Sequence, residues 1–478
     1  MHAADPLTLQ LSPRVERRSD SGDVLLAGLH GALRLNRPGP ALHSLLERLA
    51  NGGGGREALC DAVMTEGKAD SGTDLARLYH ALDILERKGF VHYRLDAGGA
   101  PLATFEPLAP GFHLAPFAAH ARARLSRFAY LRRAEDGLIL ECPLGRGRLV
   151  LHDERGPALV ALLARAHSAA ELSAVLCAID EGTAQAFLGL LTSAGTGAAT
   201  NADGSLAEDG NLALRQWEFH DLLFHARSRL GRHDYPYGGI FPFSGEISPL
   251  PAIRAPSSGA RITLYKPDIA RLQESDPSFA RVAESRRSIR APAERPLTAA
   301  QLGEFLYRVA RVQKIAAADP ADPRSYEGSL RPCAAGGAMH EIEFYLTLLR
   351  CEGIEPGLYR YDPLAHELEA VAPLAEPQKR LVLDACRSSG ASEPPDALVI
   401  LAARFQRMAW KYRSMAYAAT LKNAGALYQQ MYLAATAMGL APCGLGGGDS
   451  DLFAEAAGLD YYEETSIGEF MLSSRPPA

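Results

Sequence analysis

The order of apolar and polar positions predicts a small helical unit followed by a hairpin in the first hundred residues. Apolar side chains recur every three or four residues in three segments, which predicts amphipathic helices over 40–50, 57–64 and 74–88. Extended, apolar-rich segments lie before and after these helices, at 23–35 and 90–95. Helices followed by a hairpin are typical of a winged helix, and we predict such a unit over residues 1–105.

The second hundred residues repeat this arrangement weakly. A hairpin closed by PLGRG precedes three helical segments, and the phrases ALHSLLERLANG and ALVALLARAHSA occupy comparable places. This similarity indicates a second, diverged winged-helix-like unit over residues 106–200. The stretch SAGTGAATNADGSLAEDG that follows is rich in small and polar residues, which favours a linker. We therefore predict a linker and a helical or irregular connector over 201–260.

The pattern changes again from residue 261 to the end. Short apolar strands (ITLY, EIEFYLTLL, GLYRYD, ALVILAA and SIGEFML) are interleaved with long helices. The longest helix, over 415–438, is rich in Ala and apolar almost all round, so we expect it at the centre of a domain or a dimer. These elements predict an α+β domain with a mixed or antiparallel central sheet over 261–478.

Composition narrows the class of protein. The chain has 478 residues, of which 47% are hydrophobic and 22% charged, as in a folded globular protein of several domains. A net charge of −6 argues against a general nucleic-acid binder. Residues 1–105 also carry nearly equal numbers of basic and acidic side chains, which disfavours a DNA-binding winged helix.

The cysteines and the apolar runs suggest the compartment. Seven cysteines are scattered without a CxxC pair, which argues against a disulfide framework and against a zinc site. No run approaches the ~20 apolar residues of a membrane span, and the first residues lack an apolar stretch typical of a signal peptide. We expect a reduced, cytoplasmic, soluble protein with no metal and no membrane partner.

A first candidate site is the segment Ser-Arg-Arg-Ser-Ile-Arg at 285–290. The guanidinium groups of Arg286, Arg287 and Arg290 match phosphate oxygens, and the Ser288 hydroxyl adds a donor. The segment therefore predicts an anion site. A solvated basic helix start is an equally good interpretation of these residues alone.

Two glycine-rich segments are further candidates. Gly336 and Gly337 precede a strand, where the missing side chains let the backbone approach a flat ligand, although a tight turn explains them as well. Gly446 and Gly447 lie in the loop GLGGGD, which is neither a Rossmann fingerprint nor a P-loop. Its backbone amides can still bind phosphate, and the alternative is a flexible connector.

The adjacent pair Lys411 and Tyr412 lies just before the long helix. A lysine ammonium beside a phenol lowers the phenol pKa by stabilising its anion, which makes the tyrosine a usable base. Neighbouring aromatic and basic residues are common, so the pair gains weight only from its companions.

In this order, the motifs resemble the nitroreductase-like flavin fold, and more closely the SagB-type dehydrogenases, which are the azoline oxidases of thiazole/oxazole-modified peptide pathways. The resemblance covers about residues 217–470, and its most specific part is WKYRSMAYAATLKNAGALYQQMYLAATAMGL. It implies FMN as cofactor and Lys411 and Tyr412 as catalytic residues. The positions it implies for cofactor binding are Arg286, Arg287, Ser288, Arg290, Gly336, Gly337, Gln430, Gly446, Gly447 and Arg475.

The chain departs from the family pattern at two places. Ala335 stands where the family often has a serine, so one hydrogen bond to the flavin is lost or moved to a backbone amide. Asn423-Ala424-Gly425-Ala426 stands where members often read DAGH, so any role of that acid or histidine is absent.

The resemblance implies an FMN-dependent dehydrogenase that oxidises thiazoline or oxazoline rings in a ribosomally made peptide. In this interpretation Tyr412, made more acidic by Lys411, takes the ring α-proton while a hydride passes to the flavin. It also implies a homodimer, a YcaO-type cyclodehydratase as partner, and front units that recognise a peptide leader by strand addition.

Three alternatives stay open at the level of sequence. The chain is a nitroreductase-like enzyme acting on a small molecule, or a catalytically silent scaffold of a peptide-modifying complex. The third alternative concerns the front half alone, which is then a structural or dimerisation module instead of a peptide-recognition module.

Overall fold

A computed structural model of the chain describes residues 6–28, 31–66, 72–112, 114–134 and 137–476. The chain folds as two compact units, Met1–Tyr235 and Pro236–Ala478. Residues 29 and 30, inside the extended segment predicted over 23–35, lie outside the described residues.

The described strands of the first unit form three antiparallel sheets. The strand order of the largest is β1-β5-β6-β10-β9-β8, the second is β2-β3-β4, and β7 pairs with β11. The strands are β1 (Leu7–Leu11), β2 (Glu16–Asp20), β3 (Asp23–Gly28), β4 (Gly31–Leu35), β5 (Val91–Ala97), β6 (Ala100–Pro107), β7 (Ala123–Leu125), β8 (Tyr130–Ala134), β9 (Gly137–Glu141), β10 (Gly147–Leu151) and β11 (Gly197–Ala199).

Eight helices accompany these strands in the described part of the first unit. They are α1 (Pro40–Ala50), α2 (Arg56–Thr65), α3 (Gly72–Arg87), α4 (Arg155–Leu162), α5 (Ala169–Val175), α6 (Glu181–Ser193), α7 (Ala207–Gly210) and α8 (Phe219–Arg227). A short 3-10 helix, Leu214–Gln216, precedes α8. The helices predicted over 40–50, 57–64 and 74–88 are present as α1 to α3, because their leucines face one core.

The largest sheet runs across the boundary that the sequence suggested between two front units. Residue 105 lies inside β6, which pairs with β5 on one side and with β10 on the other. One hydrophobic core contains side chains from both halves, including Leu45, Phe105 and Phe187. The stretch predicted as a linker contributes β11 and α7, and the connector predicted over 201–260 is divided between the two compact units.

The second unit is built on a seven-stranded antiparallel sheet with the order β13-β20-β19-β17-β21-β24-β23. Three two-stranded pairs lie outside it: β12 with β22, β14 with β18, and β15 with β16. The strands are β12 (Gly238–Gly239), β13 (Arg261–Thr263), β14 (Leu297–Thr298), β15 (Lys314–Ala316), β16 (Gly328–Leu330), β17 (Ile342–Leu348), β18 (Cys351–Glu352), β19 (Gly357–Asp362), β20 (Glu367–Pro373), β21 (Ala397–Arg404), β22 (Tyr412–Arg413), β23 (Leu440–Gly444) and β24 (Glu464–Ser474).

Seven helices complete the described second unit. They are α9 (Ile269–Ser275), α10 (Phe279–Ser285), α11 (Ala299–Ala310), α12 (Glu376–Ser389), α13 (Phe405–Lys411), α14 (Ala416–Ala437) and α15 (Ser450–Ala457). The five predicted strands and the long predicted helix are all present, and the predicted α+β class is confirmed.

The centre of this sheet is fully buried because its strands are mostly apolar and the charged side chains of Glu343 and Arg404 pair with each other. Every residue of β17 and of β21 is buried, as expected for strands covered by helices on either side. Helix α14 packs its Leu427, Met431 and Ala435 against one side of this core. Candidate residues lie near both ends of this helix and beside its middle.

Candidate active site

Lys411 and Tyr412 are held where a helix passes into a two-residue strand. Lys411 is the last residue of α13, and Tyr412 begins β22, which pairs with β12 through Gly239. The backbone N–H of Phe241 donates to the Lys411 carbonyl at 3.0 Å. The segment 238–241 therefore fixes the backbone on which both candidate catalytic side chains are carried.

Gly337 brings a backbone segment directly against this pair. Its φ is +63°, and a Cβ built there would lie 2.5 Å from Lys411 Nζ and 2.7 Å from the Tyr412 hydroxyl. A residue with a Cβ would be strained in this conformation and would push the ends of both side chains away, so glycine is favoured at this position. The glycine pair and the Lys-Tyr pair, predicted separately, thus form one site.

Tyr326 is a fourth member of this site that the sequence did not indicate. Its hydroxyl donates to the Gly337 carbonyl at 2.8 Å and accepts a hydrogen bond from Lys411 Nζ. It lies in an irregular segment far from Lys411 in the sequence, so no local pattern marks it. Phe241 and Trp410 complete an aromatic surround, with their rings 6.5 Å and 6.1 Å from that of Tyr326.

The Lys411 ammonium is both partly buried and well stabilised. Burial alone lowers its pKa, but hydrogen bonds and charge interactions with Tyr326 and Tyr412 outweigh burial and leave the pKa raised. The ammonium also lies 4.5 Å from the Tyr326 ring centroid and 5.1 Å from that of Tyr412. Lys411 is therefore a cation at neutral pH, held among aromatic rings.

Asn423 links the glycine pair to a buried carboxylate. Its side-chain oxygen accepts from the Gly336 N–H at 3.0 Å, and its amide nitrogen donates to Glu341 at 2.9 Å. Glu341 is fully buried, so an aspartate at 423 would set two carboxylates against each other. The chain therefore has an asparagine where the family often has an acid, and this asparagine binds a different acid, Glu341, which the sequence did not indicate.

The arginine segment, residues 285–290, lies against the C-terminal part of α14. Ser288 Oγ is 2.7 Å from the Tyr432 hydroxyl, and the Arg286 guanidinium lies 5.0 Å from the Tyr432 ring centroid. The Ile289 N–H donates to the Pro442 carbonyl at 2.9 Å, which ties the segment to β23. Arg287 and Arg290 are exposed, so their charges are free to face a ligand.

Arg475 reaches the same neighbourhood from the end of β24. The Ala293 N–H, just beyond the arginine segment, donates to the Ser474 carbonyl at 3.1 Å. Arg475 follows as an exposed residue. The fold therefore places the C-terminal arginine near the end of the segment with which it was predicted to act.

Gly446 and Gly447 border an open cavity of about 340 Å³. No atom lies within 4 Å of a Cβ built at either glycine, so both present bare backbone to open space. Tyr428 and Gly425 of α14 line the cavity, as does Glu469 of β24. The cavity thus lies between the glycine loop and the middle of the long helix.

Glu469 is a second residue that the sequence reasoning missed. It is 6% exposed, and burial raises the pKa of its carboxyl although a hydrogen bond with Ser466 acts in the opposite direction. A Cβ at Gly448 would overlap its carboxylate, so the loop packs closely against it. Its place in the strand SIGEFML gave no signal, because the strand pattern predicts only burial.

Gln430 is not brought to this cavity. It lies on another face of α14, where its side-chain amide donates to the Arg308 carbonyl of α11 at 3.4 Å. Its role toward a cofactor stays a prediction, and its visible contact is between two helices.

Two segments of the chain match models of known protein families. Residues 283–470 match the model of the nitroreductase family. Residues 123–234 match the model of the cyanobactin oxidase ThcOx.

Two curated relatives agree with these matches. A protein of Methanocaldococcus jannaschii described as a nitroreductase, MJ1384, is 27% identical over 188 residues, which are 39% of this chain and 85% of the relative. McbC, the microcin B17-processing protein of Escherichia coli, is 33% identical over 114 residues, which are 23% of this chain and 42% of McbC. Together with the ThcOx match, this confirms the resemblance to SagB-type azoline oxidases.

Solved structures with related folds were also found. The E. coli microcin synthetase McbBCD complex with truncated pro-MccB17 is 18% identical, has a TM-score of 0.31, and covers 58% of this chain and 100% of its own. A nitroreductase of Exiguobacterium sibiricum in complex with FMN is 12% identical, has a TM-score of 0.29, and covers 42% and 90%.

Proposed function

We propose that the chain is an FMN-dependent azoline oxidase that converts thiazoline or oxazoline rings of a ribosomally made peptide into thiazole or oxazole. The observation that carries this proposal is the meeting of Lys411 and Tyr412 at the Gly337 backbone, inside a nitroreductase-family domain. The match of residues 123–234 to a cyanobactin oxidase supports a peptide substrate.

The described residues fit an FMN cofactor. A cavity of about 340 Å³ lies within the ~300–1,000 Å³ typical of small-molecule sites. The bare backbone of Gly446 and Gly447 leaves room for a flat ring, because a Cβ at either position would meet open space. Arg286, Ser288 and the exposed Arg287 supply the cations and hydroxyl that a phosphate requires.

The remaining predicted cofactor ligands are two arginines, two glycines and one glutamine. Arg290, at the end of the arginine segment, and Arg475 are exposed and are proposed to contact the phosphate. Gly336 and Gly337 present backbone beside the Lys-Tyr pair, and Gln430, on α14, is also proposed to bind the cofactor. When bound, FMN supplies the acceptor of two electrons that this oxidation needs.

Lys411 and Tyr412 are proposed to accept the proton that leaves the azoline ring. Conversion of an azoline to an azole removes two hydrogens, one as a proton from the ring α-carbon and one as a hydride. The Tyr412 oxygen receives the proton, and the Lys411 ammonium, 5.1 Å from the Tyr412 ring centroid, places a positive charge beside it. The ring of Phe241 packs 5.8 Å from the same ammonium.

Partners follow from the same proposal. The substrate is a precursor peptide whose azolines are formed by a YcaO-type cyclodehydratase. The leader is proposed to add as a strand beside β8, an edge strand of the largest sheet of the first unit. The other edge strand, β1, already pairs with Gly54 through Leu9. A homodimer is supported by Tyr417 and Leu421 of α14, which are 48% and 38% exposed.

Among the described residues, the helices lack the combination of length and apolar character that crossing a bilayer requires.

Mass spectrometry tests the proposed function. The full chain, loaded with FMN, is incubated with a leader-bearing azoline peptide, and a loss of about 2 Da per ring is expected from the proton and hydride removed. Lys411→Ala and Tyr412→Phe should retain FMN while the loss disappears. An FMN-loaded chain that leaves the peptide mass unchanged would overturn the proposal.

A second candidate is a nitroreductase-like enzyme acting on a small molecule. It is favoured by one observation: the match to the nitroreductase relative spans 188 residues, which are 39% of this chain and 85% of the relative. A chain that reduces a nitroaromatic compound rapidly and ignores the azoline peptide would support it. A chain that takes up no FMN would instead indicate a scaffold.

A further inference from the structure

The hydrogen bonds around Lys411 have a direction that the Gly337 carbonyl sets. A carbonyl oxygen can only accept, so the single proton of the Tyr326 hydroxyl is committed to Gly337, at 2.8 Å. The Tyr326 oxygen must then accept from its other neighbour, which is the Lys411 ammonium. Lys411 therefore acts as donor toward Tyr326.

This direction continues from Lys411 to Tyr412. A Cβ built at Gly337 would lie 2.5 Å from Lys411 Nζ and 2.7 Å from the Tyr412 hydroxyl, so these two groups face the same point. An ammonium has three N–H groups and no acceptor, so Lys411 can act toward the Tyr412 oxygen only as a donor, which directs the proton of Tyr412 away from the lysine. Among the described residues, the Tyr326 contact with the Gly337 carbonyl anchors this arrangement to the backbone.

The packing around the ammonium agrees with this order. The Lys411 nitrogen lies 4.5 Å from the ring centroid of Tyr326 and 5.8 Å from that of Phe241. A Cβ at Gly337 would also lie 3.2 Å from the Tyr326 hydroxyl, so the three groups are in close contact. The lysine therefore has little freedom to turn away from Tyr412 while Tyr326 is present.

We propose that Tyr326 is a positioning residue that, through its bond to the Gly337 carbonyl, holds the Lys411 ammonium as a donor to Tyr412. This inference deepens the proposed function and rests on it, since the role matters to turnover only if Lys411 and Tyr412 act there. Tyr326 orients the pair and need not touch the substrate.

The test compares Tyr326→Phe with Tyr462→Phe in the full chain without added FMN. Phenylalanine keeps the ring but removes the hydroxyl, and Tyr462 is 84% exposed, so its variant controls for loss of a phenol elsewhere. Acylation of Lys411 by an N-hydroxysuccinimide ester is followed by peptide mass spectrometry across alkaline pH. Tyr326 and Tyr412 are the titratable groups that act on Lys411, and thermal melting checks that each variant is folded.

Loss of the Tyr326 hydroxyl should make Lys411 easier to acylate. One interaction that raises the Lys411 pKa disappears while burial, which lowers it, remains. Its acylation profile should shift to lower pH in Tyr326→Phe and stay unchanged in Tyr462→Phe. With FMN and azoline peptide, kcat should fall at least tenfold with a smaller change in KM, since a misplaced proton-transfer group affects the chemical step.

The outcomes separate this inference from the proposed function. An acylation profile of Tyr326→Phe identical to that of the unsubstituted chain would overturn the positioning role. A shifted profile in a chain that oxidises no azoline would support the positioning of Lys411 and overturn the proposed function instead.

Discussion

At the scale of single residues, the candidate site depends on a glycine as much as on its functional side chains. Because Gly337 has no Cβ, the side chains of Lys411, Tyr412 and Tyr326 can all approach it closely. The sequence indicated the glycine and the Lys-Tyr pair separately. It gave no sign of Tyr326 or Glu469, because a lone tyrosine in an irregular segment and a glutamate in a strand have no pattern of their own.

Replacing Gly337 with alanine should slow turnover strongly while the chain still folds. The left-handed backbone costs a residue with a Cβ about 1–2 kcal/mol, and the new methyl group displaces Lys411 and Tyr412. We expect kcat to fall about a hundredfold, as for misplaced catalytic groups generally. Gly458→Ala is the matched control, since its φ of +66° carries the same backbone cost while its Cβ meets open space. Equal kcat in Gly337→Ala and the unsubstituted chain would contradict the close approach.

Glu469 should make stability depend on pH. Its raised pKa means that the folded chain keeps a proton that the unfolded chain releases near the ordinary value of 4.5. Stability is therefore lost as pH rises from that value toward the folded pKa. Glu469→Gln, which does not titrate, should melt increasingly higher than the unsubstituted chain between pH 4 and pH 8. A melting difference that is constant over this range, as expected for the exposed Glu274→Gln, would contradict the assignment.

At the scale of elements, α14 connects the parts of the candidate site. Its start follows the Lys-Tyr pair, its middle contributes Asn423 and Tyr428, and its end carries Tyr432 against the arginine segment. The sequence predicted this helix and the central strands because their apolar patterns are long. It could not predict β12 and β22, which are two residues each and depend on pairing between distant segments.

Tyr432 should couple the arginine segment to the glycine loop. Its hydroxyl lies 2.7 Å from Ser288 Oγ and accepts from the Gly444 N–H at 2.8 Å. Tyr432→Phe removes both bonds, each worth about 1 kcal/mol, so we expect FMN to dissociate roughly tenfold more readily. Fluorescence titration with FMN measures this change. An unchanged Kd would show that the arginine segment does not depend on Tyr432.

At the scale of the whole molecule, the two units contain segments that match different protein families. The first contains the segment that matches the model of a cyanobactin oxidase, and the second contains the segment that matches the model of the nitroreductase family. The sequence predicted the class of the second unit from its motifs. It could not reveal that the two front segments share β5, β6 and β10 in one sheet, because strand pairing between distant segments has no local pattern.

If the first unit binds the leader, activity should depend on that part of the substrate. We expect leader-bearing azoline peptide to be oxidised with kcat/KM at least tenfold above that of the same core without leader, mainly through KM. Steady-state assays with both peptides measure the ratio. Equal values would assign the first unit a structural role.

The central claim is that electrons leave the azoline ring for a flavin beside Lys411 and Tyr412. Its most direct measurement is the visible absorbance of the FMN-loaded chain, mixed without oxygen with azoline peptide. In the unsubstituted chain, the account predicts that one equivalent of FMN loses its visible absorbance for each ring oxidised. In a flavin-loaded Lys411→Ala, Tyr412→Phe double variant it predicts no loss of absorbance. Bleaching at the same rate in both, or in neither, would contradict it.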